Sequence, residues 1–176
     1  HSNADMGLRT YAPGFNPPTE ALFENMKIYQ NREGVFLHGT QNVRIKNALI
    51  AHHMWNAVLY FGNGKNNIIE DSTIIGDCGR GGISFSLEPA ANQIQVNNTS
   101  FLGFAEGCEN NPGAALSQGS NQAKSAYGMP IFTNLSFDSN AVDAVVIAQT
   151  YDGRSIFFED PDGGMNPSGE PGFFCQ

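Results

Sequence analysis

The sequence predicts an all-β fold, a parallel β-helix or solenoid of about five coils, and three observations carry that prediction. Five short stretches place a large apolar residue three positions after an Asn or Asp: Asn25 and Ile28, Asn47 and Ile50, Asp71 and Ile74, Asn98 and Phe101, Asn134 and Phe137. Two residues before each anchor stands a second apolar residue, Phe23, Ile45, Ile69, Val96 or Phe132. The anchors are 22, 24, 27 and 36 residues apart (25 to 47, 47 to 71, 71 to 98, 98 to 134), the period of a solenoid whose later coils have grown by insertion.

Each element follows from this repeat. The opening His1-Ser-Asn-Ala4 reads as the remnant of an expression tag, and residues 5–21, with Pro13, Pro17 and Pro18, as an N-terminal extension or cap. Residues 22–176 form the β-helix domain, with a loop insertion at 104–129. In each coil two short strands bend around the anchor, because Asn and Asp tolerate the left-handed backbone region and bond locally within the turn. Stacked anchors would make a ladder of polar turns from Asn25, Asn47, Asp71, Asn98 and Asn134. A third strand follows at 34–38, 57–61, 82–86, 113–117 and 144–148, each opening with Gly or Ala. Period-2 alternation then sends Val35/Leu37, Val58/Tyr60, Ile83/Phe85, Ala114/Leu116 and Val145/Ile147 inward. Phe36/His38, Leu59/Phe61, Ser84/Ser86, Ala115/Ser117 and Val146/Ala148 point outward. The Pro- and Gly-rich tail from Pro161 is expected to wrap the far end, since open sheet edges invite pairing between molecules.

Composition agrees and excludes some functions. With 20 Gly and 15% charged residues in 176, and no long stretch at helical apolar spacing, the chain suits turn-rich β structure. Nine Lys and Arg against seventeen Asp and Glu give a net charge of −8 without a clustered basic face, which argues against nucleic-acid binding. No apolar run reaches the length of a membrane span. Of three cysteines, Cys78 and Cys108 fall at similar places in successive coils, where coil spacing permits a bridge or two buried thiols; Cys175 is left over. Sequons begin at Asn97, Asn98 and Asn134, but the last two are turn anchors, whose amides are expected to be committed to structure.

The segment from Phe23 to Gly39, followed by Val43-Arg-Ile-Lys-Asn-Ala-Leu-Ile-Ala51, resembles the β-helix of the cell-migration-inducing hyaluronidases and fibrocystin-like (polyductin-like) receptors. So does Ile156-Phe-Phe-Glu-Asp-Pro-Asp-Gly163, where Gly164 replaces the Ser of that family's Asp-x-Asp-Gly-Ser turn. The resemblance spans roughly Phe23 to Gly169. It implies a right-handed, extracellular or cell-surface β-helix from a larger receptor or secreted protein. The family includes hyaluronan-degrading members and others that look like adhesion or receptor proteins, and no catalytic residue of the family maps onto a numbered position here.

Candidate sites follow from the residues themselves. His52, Asp77 and Arg80 fall in equivalent loops of successive coils, where they could cut a glycan; His53 and Trp55 beside them, and Lys46 and Glu70 on a neighbouring sheet, are candidate ligand-binding residues. Trp offers a flat apolar face to a sugar ring, and Asp and Arg bond hydroxyls or a carboxylate. The plain alternative is a solvated loop with a structural Trp. Glu24, Lys46 and Glu70 equally form an outward ladder of alternating charge, whose plain role is register. Glu159-Asp-Pro-Asp-Gly-Gly164 makes Asp160 and Asp162 candidate Ca²⁺ ligands, although tight Asp-Gly turns explain the same residues. Glu106, Cys108 and Glu109 read as a polar turn or an extension of a cation or sugar site. No other cofactor is expected. The outward face of the third strands lacks the two carboxylates that glycoside hydrolysis needs about 5 to 10 Å apart. The expectation is therefore a module for scaffolding and for recognising an acidic glycan or an extracellular protein, with a polysaccharide-degrading enzyme as the competing class.

Overall fold

In a computed structural model the described residues are 1–10, 14–61, 65–76, 81–86, 92–104, 114–118, 131–138, 145–147, 157–160 and 172–175. They form three sheets and no helix, hence no helix long and apolar enough to cross a membrane. Sheet A holds β1 (Met6–Thr10), β4 (Glu33–His38), β7 (Asn56–Phe61), β10 (Gly81–Ser86), β13 (Ala114–Gln118) and β16 (Val145–Ile147), in that order. Sheet B runs from β2 (Ala21–Glu24) through β5 (Val43–Lys46), β8 (Lys65–Glu70), β11 (Asn92–Asn97), β14 (Ile131–Thr133) and β17 (Phe157–Asp160) to β18 (Gly172–Cys175). Sheet C runs from β3 (Lys27–Tyr29) through β6 (Leu49–Ala51), β9 (Thr73–Ile75) and β12 (Ser100–Leu102) to β15 (Ser136–Phe137). Strands three apart in sequence are neighbours and parallel, which is the β-solenoid the repeat predicts. Sheets of six, seven and five strands make the number of coils depend on the wall at which they are counted.

The domain boundary differs from expectation. Met6–Thr10 lies inside the segment read as a cap, yet it is a strand of the solenoid, with Leu8 in register with Val35. Asp160 also departs from its expected turn: it closes β17, opposite Gly172 of the antiparallel β18, and Asp162 lies outside the described residues.

The anchor residues turn the chain as predicted. Asn25, Asn47, Asp71, Asn98 and Asn134 all have φ between 45° and 58°. Two further left-handed corners were not foreseen. Gln30 and His52, with φ of 55° and 54°, stack at the passage from sheet C to sheet A, and Asn42 and Asn66, with φ of 57° and 51°, at the passage from A to B. Inside the latter corner the buried Asn67 donates to Thr40 O at 2.7 Å and accepts from Val43 N at 3.3 Å, so its amide replaces a backbone rung.

The core is a set of vertical columns. Val35, Val58, Ile83 and Leu116 align along sheet A and are at most 1% exposed. Ile45, Ile69, Val96 and Phe132 do the same in sheet B, and Ile50, Ile74 and Phe101 in sheet C, where Ile28 extends the column and is also buried. Each fully buried side chain of this size contributes about 1.5–3 kcal/mol. Phe101 stacks on Phe137 at 5.3 Å, and Tyr60 on Phe85 at 5.7 Å.

Ala115, expected to point outward, is buried, as are Gly34, Ala57 and Gly82 at the same register position. Rings from the corner of the next coil fill the space beside the two glycines. A Cβ on Gly34 would meet the Ala57 carbonyl and, at 2.7 Å, His53 Nε2; on Gly82 it would meet the Ala115 carbonyl and, at 3.0 Å, the Phe104 ring. Small residues therefore open these strands because space, not backbone freedom, is limiting.

Candidate functional site

The loop 52–55 joins β6 to β7 and is built on the coil beneath it. Met54 N donates to Asn31 O at 3.1 Å and Trp55 N to Arg32 O at 2.8 Å, so the two loops stack like strands. His52 takes the left-handed corner position, which places its side chain outside, and Met54 is 70% exposed.

His53, a candidate ligand-binding residue, instead faces inward at 5% exposure. Its Nδ1 accepts from Asn31 N at 3.2 Å, and its Nε2, 3.2 Å from Ile28 O, carries the proton that completes this pair of bonds. Burial holds its pKa below the ordinary value, against the two backbone bonds that raise it. The neutral ring is a staple between two coils, and it does not present a nitrogen to ligand.

Trp55 is 37% exposed and lies against the guanidinium of Arg32, 4.9 Å from Cζ to the ring centroid. Arg32 also pairs with Asp5, which reaches Arg9 at 3.8 Å. Below them Glu33 is buried, its carboxylate accepting from Asn56 N at 3.0 Å and Asn56 Nδ2 at 3.5 Å. Burial pushes the Glu33 carboxyl above its ordinary range, although the Asn56 bonds and the Arg32 charge oppose this. The loop and its neighbours border an open, shallow depression of about 370 Å³ lined by Asn3, Gln30, Asn31, Arg32, His52 and Met54, among others.

A second cavity, of about 240 Å³, follows the anchor ladder at the passage from sheet B to sheet C. Asn25, Asn47 and Asp71 line it with Lys27, Leu49 and Thr73. Along the ladder each Asn donates one coil back: Asn47 Nδ2 to Asn25 Oδ1 at 2.7 Å, Asn98 Nδ2 to Asp71 Oδ1 at 2.7 Å, Asn134 Nδ2 to Asn98 Oδ1 at 2.8 Å. The Asn98 and Asn134 residues are exposed, but their amides are committed to these bonds.

Lys46 and Glu70 stand away from the first cavity, on the outer face of sheet B in the predicted register with Glu24. Lys46 Nζ reaches Glu70 at 3.3 Å and Asp71 at 3.5 Å, and Arg44, which the charge column had not included, bonds Glu70 at 2.6 Å and Glu20 at 2.7 Å. The bond to Glu70, first of all, raises the Lys46 pKa. These side chains form an ion network that holds register.

Asp77, Arg80, Cys78, Cys108, Glu106 and Glu109 lie outside the described residues. Among those described, no group of three or more His, Cys, Asp or Glu could hold a metal ion. Nor does the first cavity offer two free carboxylates, because Asp5 is paired with arginines and Glu33 is buried against Asn56. Its lining offers a guanidinium, an imidazole and amides, and the Trp55 ring lies beside it against Arg32.

The residues that sequence reasoning missed, Gln30, Asn31 and Arg32, stand five to seven positions after Asn25, as His52, His53 and Met54 stand after Asn47. Aligning the copies on their anchors would have found them. No family model, curated protein or solved structure matches the chain.

Proposed function

We propose that the protein is an extracellular β-solenoid module of a larger receptor or secreted protein, and that it recognises an acidic glycan at the corner formed by Arg32, His52 and Trp55. One observation carries this reading: an exposed indole and a guanidinium lie together beside a cavity of about 370 Å³ whose remaining polar groups are amides and an imidazole. Trp55 supplies a flat face for a sugar ring, while Arg32 supplies fixed donors for a carboxylate. The resemblance of the early coils to hyaluronidase-type and fibrocystin-like β-helices supports an extracellular setting and a glycan ligand. The partners that follow are an acidic polysaccharide and the other domains of the parent chain.

The test is incubation with hyaluronan and other uronate polymers, with Ca²⁺ or chelator, reading retention and chain length together. Retention with unchanged chain length, weakened about tenfold by Trp55→Ala at an unchanged melting temperature, is the expected result. Shortened chains, with the activity lost on His52→Ala or Asp77→Ala, would replace this reading by the polysaccharide-degrading one.

A further inference from the structure

The two cavities flank the same short strands. The ladder cavity includes Asn47 and Leu49, at the entry to β6, and the corner cavity includes His52, just past its end. Two strand residues, Ile50 and Ala51, separate Leu49 from His52, about 10 Å over three steps at about 3.3 Å per residue. The accessible side chains on this strip are Lys27 and Tyr29 of β3 and Leu49 of β6, while Ala51, opposite Tyr29, is buried.

Three details suit the strip to an extended ligand. Tyr29 is 37% exposed, and the His1 imidazole stacks on it at 4.8 Å with 7° between the planes, so its face accepts a flat ring. Lys27 is exposed and forms no ion pair among the described residues. At the ladder cavity the sequence of donated amides stops at Asp71, which leaves Asn47 Oδ1 without a donor among the described residues and ready to accept a hydroxyl.

We propose that the two cavities and the strip of sheet C between them are one binding track for a linear uronate-bearing glycan, which lies along the strands and across the solenoid axis. The inference rests on the glycan reading above and adds a length and a direction to it. At the ladder end Asn47, Asp71 and Thr73 take hydroxyls, Lys27 meets a carboxylate, Tyr29 stacks on a ring, and Arg32 with Trp55 holds the far end. Residues 1–3 occupy part of this track: Ser2 N donates to Tyr29 O at 3.2 Å and Asn3 N to Asn31 Oδ1 at 2.9 Å, with His1 on Tyr29. They therefore compete with the ligand, and a chain beginning at Asp5 leaves the track open.

Calorimetric titration with hyaluronan oligosaccharides, from disaccharide to decasaccharide, tests this on the full chain and on one starting at Asp5. Affinity is expected to climb to a plateau near the hexasaccharide and to rise severalfold when residues 1–4 are removed. Lys27→Ala and Tyr29→Ala should each weaken the hexasaccharide severalfold while leaving the disaccharide and the melting temperature unchanged. Affinity independent of length, yet lost on Trp55→Ala, would overturn the track and leave the corner reading standing. A neutral oligosaccharide of equal length held as tightly would overturn the role of Lys27, and no binding of any probe would sink both readings.

Discussion

Asp71 is the one anchor that cannot pass the ladder on. An ionised carboxylate has no hydrogen to donate to Asn47 Oδ1, and Asp71 stays ionised because the Asn98 amide and then Lys46 hold its pKa below the ordinary value. Asp71→Asn supplies the missing donor and keeps a residue that tolerates the left-handed turn. The expected outcome is a small rise in melting temperature, about 2 °C, measured by calorimetry; a fall would mean that the Lys46 contact outweighs the completed ladder. At this scale the sequence was legible where residue type advertises backbone conformation. Asn and Asp announce left-handed corners, whereas Gln30 and His52 adopt the same geometry without a signal in their chemistry. The adjacent His52 and His53 read as equivalent for a related reason: a left-handed corner breaks strand alternation, so period-2 logic does not tell which ring turns inward.

Strands were legible where apolar pattern and turn agree, and obscured where pairing is purely tertiary. Alternation gives the right inward residues of sheet A among the described side chains, although Leu116, read as level with Phe85, stands opposite Ile83; β1 was missed because its five residues, Met-Gly-Leu-Arg-Thr, carry one strongly apolar inward residue and sit upstream of three prolines. Only its pairing with β4 defines it. The small residues at the start of each sheet A strand were visible in sequence, but their cause, the rings of His53 and Phe104, belongs to another element. One inward position carries a cost. Tyr60 in β7 is 2% exposed and its hydroxyl finds no partner among the described residues, while burial alone raises its pKa. Tyr60→Phe keeps the ring stacked on Phe85 and removes an unsatisfied buried hydroxyl, which should stabilise the fold by about 1 kcal/mol in urea titration. A loss of stability would show that the hydroxyl is bonded after all, through water.

For the whole molecule, two buried titratable groups in one corner impose opposite pH dependences. His53 is held neutral, so its contribution is present above the unfolded value of 6.5 and is lost as pH falls through its lowered folded pKa. Glu33 has a raised pKa, so its contribution is present below 4.5 and is lost as pH rises through the folded value. Between these limits the two offset one another. Glu33→Gln retains an acceptor for Asn56 N without the buried charge, so the variant should melt higher than the parent at pH 7 and lose stability more steeply from pH 6.5 downward. Melting curves across that range check it, and parallel profiles for parent and variant would remove Glu33 from the account. The solenoid itself was legible because each coil repeats one short pattern, while the corner site joins residues more than twenty positions apart that only an alignment of the copies on their anchors brings together.

The reversed strand at the far end of sheet B sets a direction for this architecture. Strand β18 runs opposite to β17 and joins it by the perpendicular, paired bonds of an antiparallel ladder, where the strands below are joined by evenly slanted parallel bonds. A strand arriving in the sense of the other coils would meet β18 antiparallel, as β17 does, and not in the parallel ladder of the coils below. On that wall β18 breaks the parallel stacking of the coils and changes the kind of ladder a further strand would join.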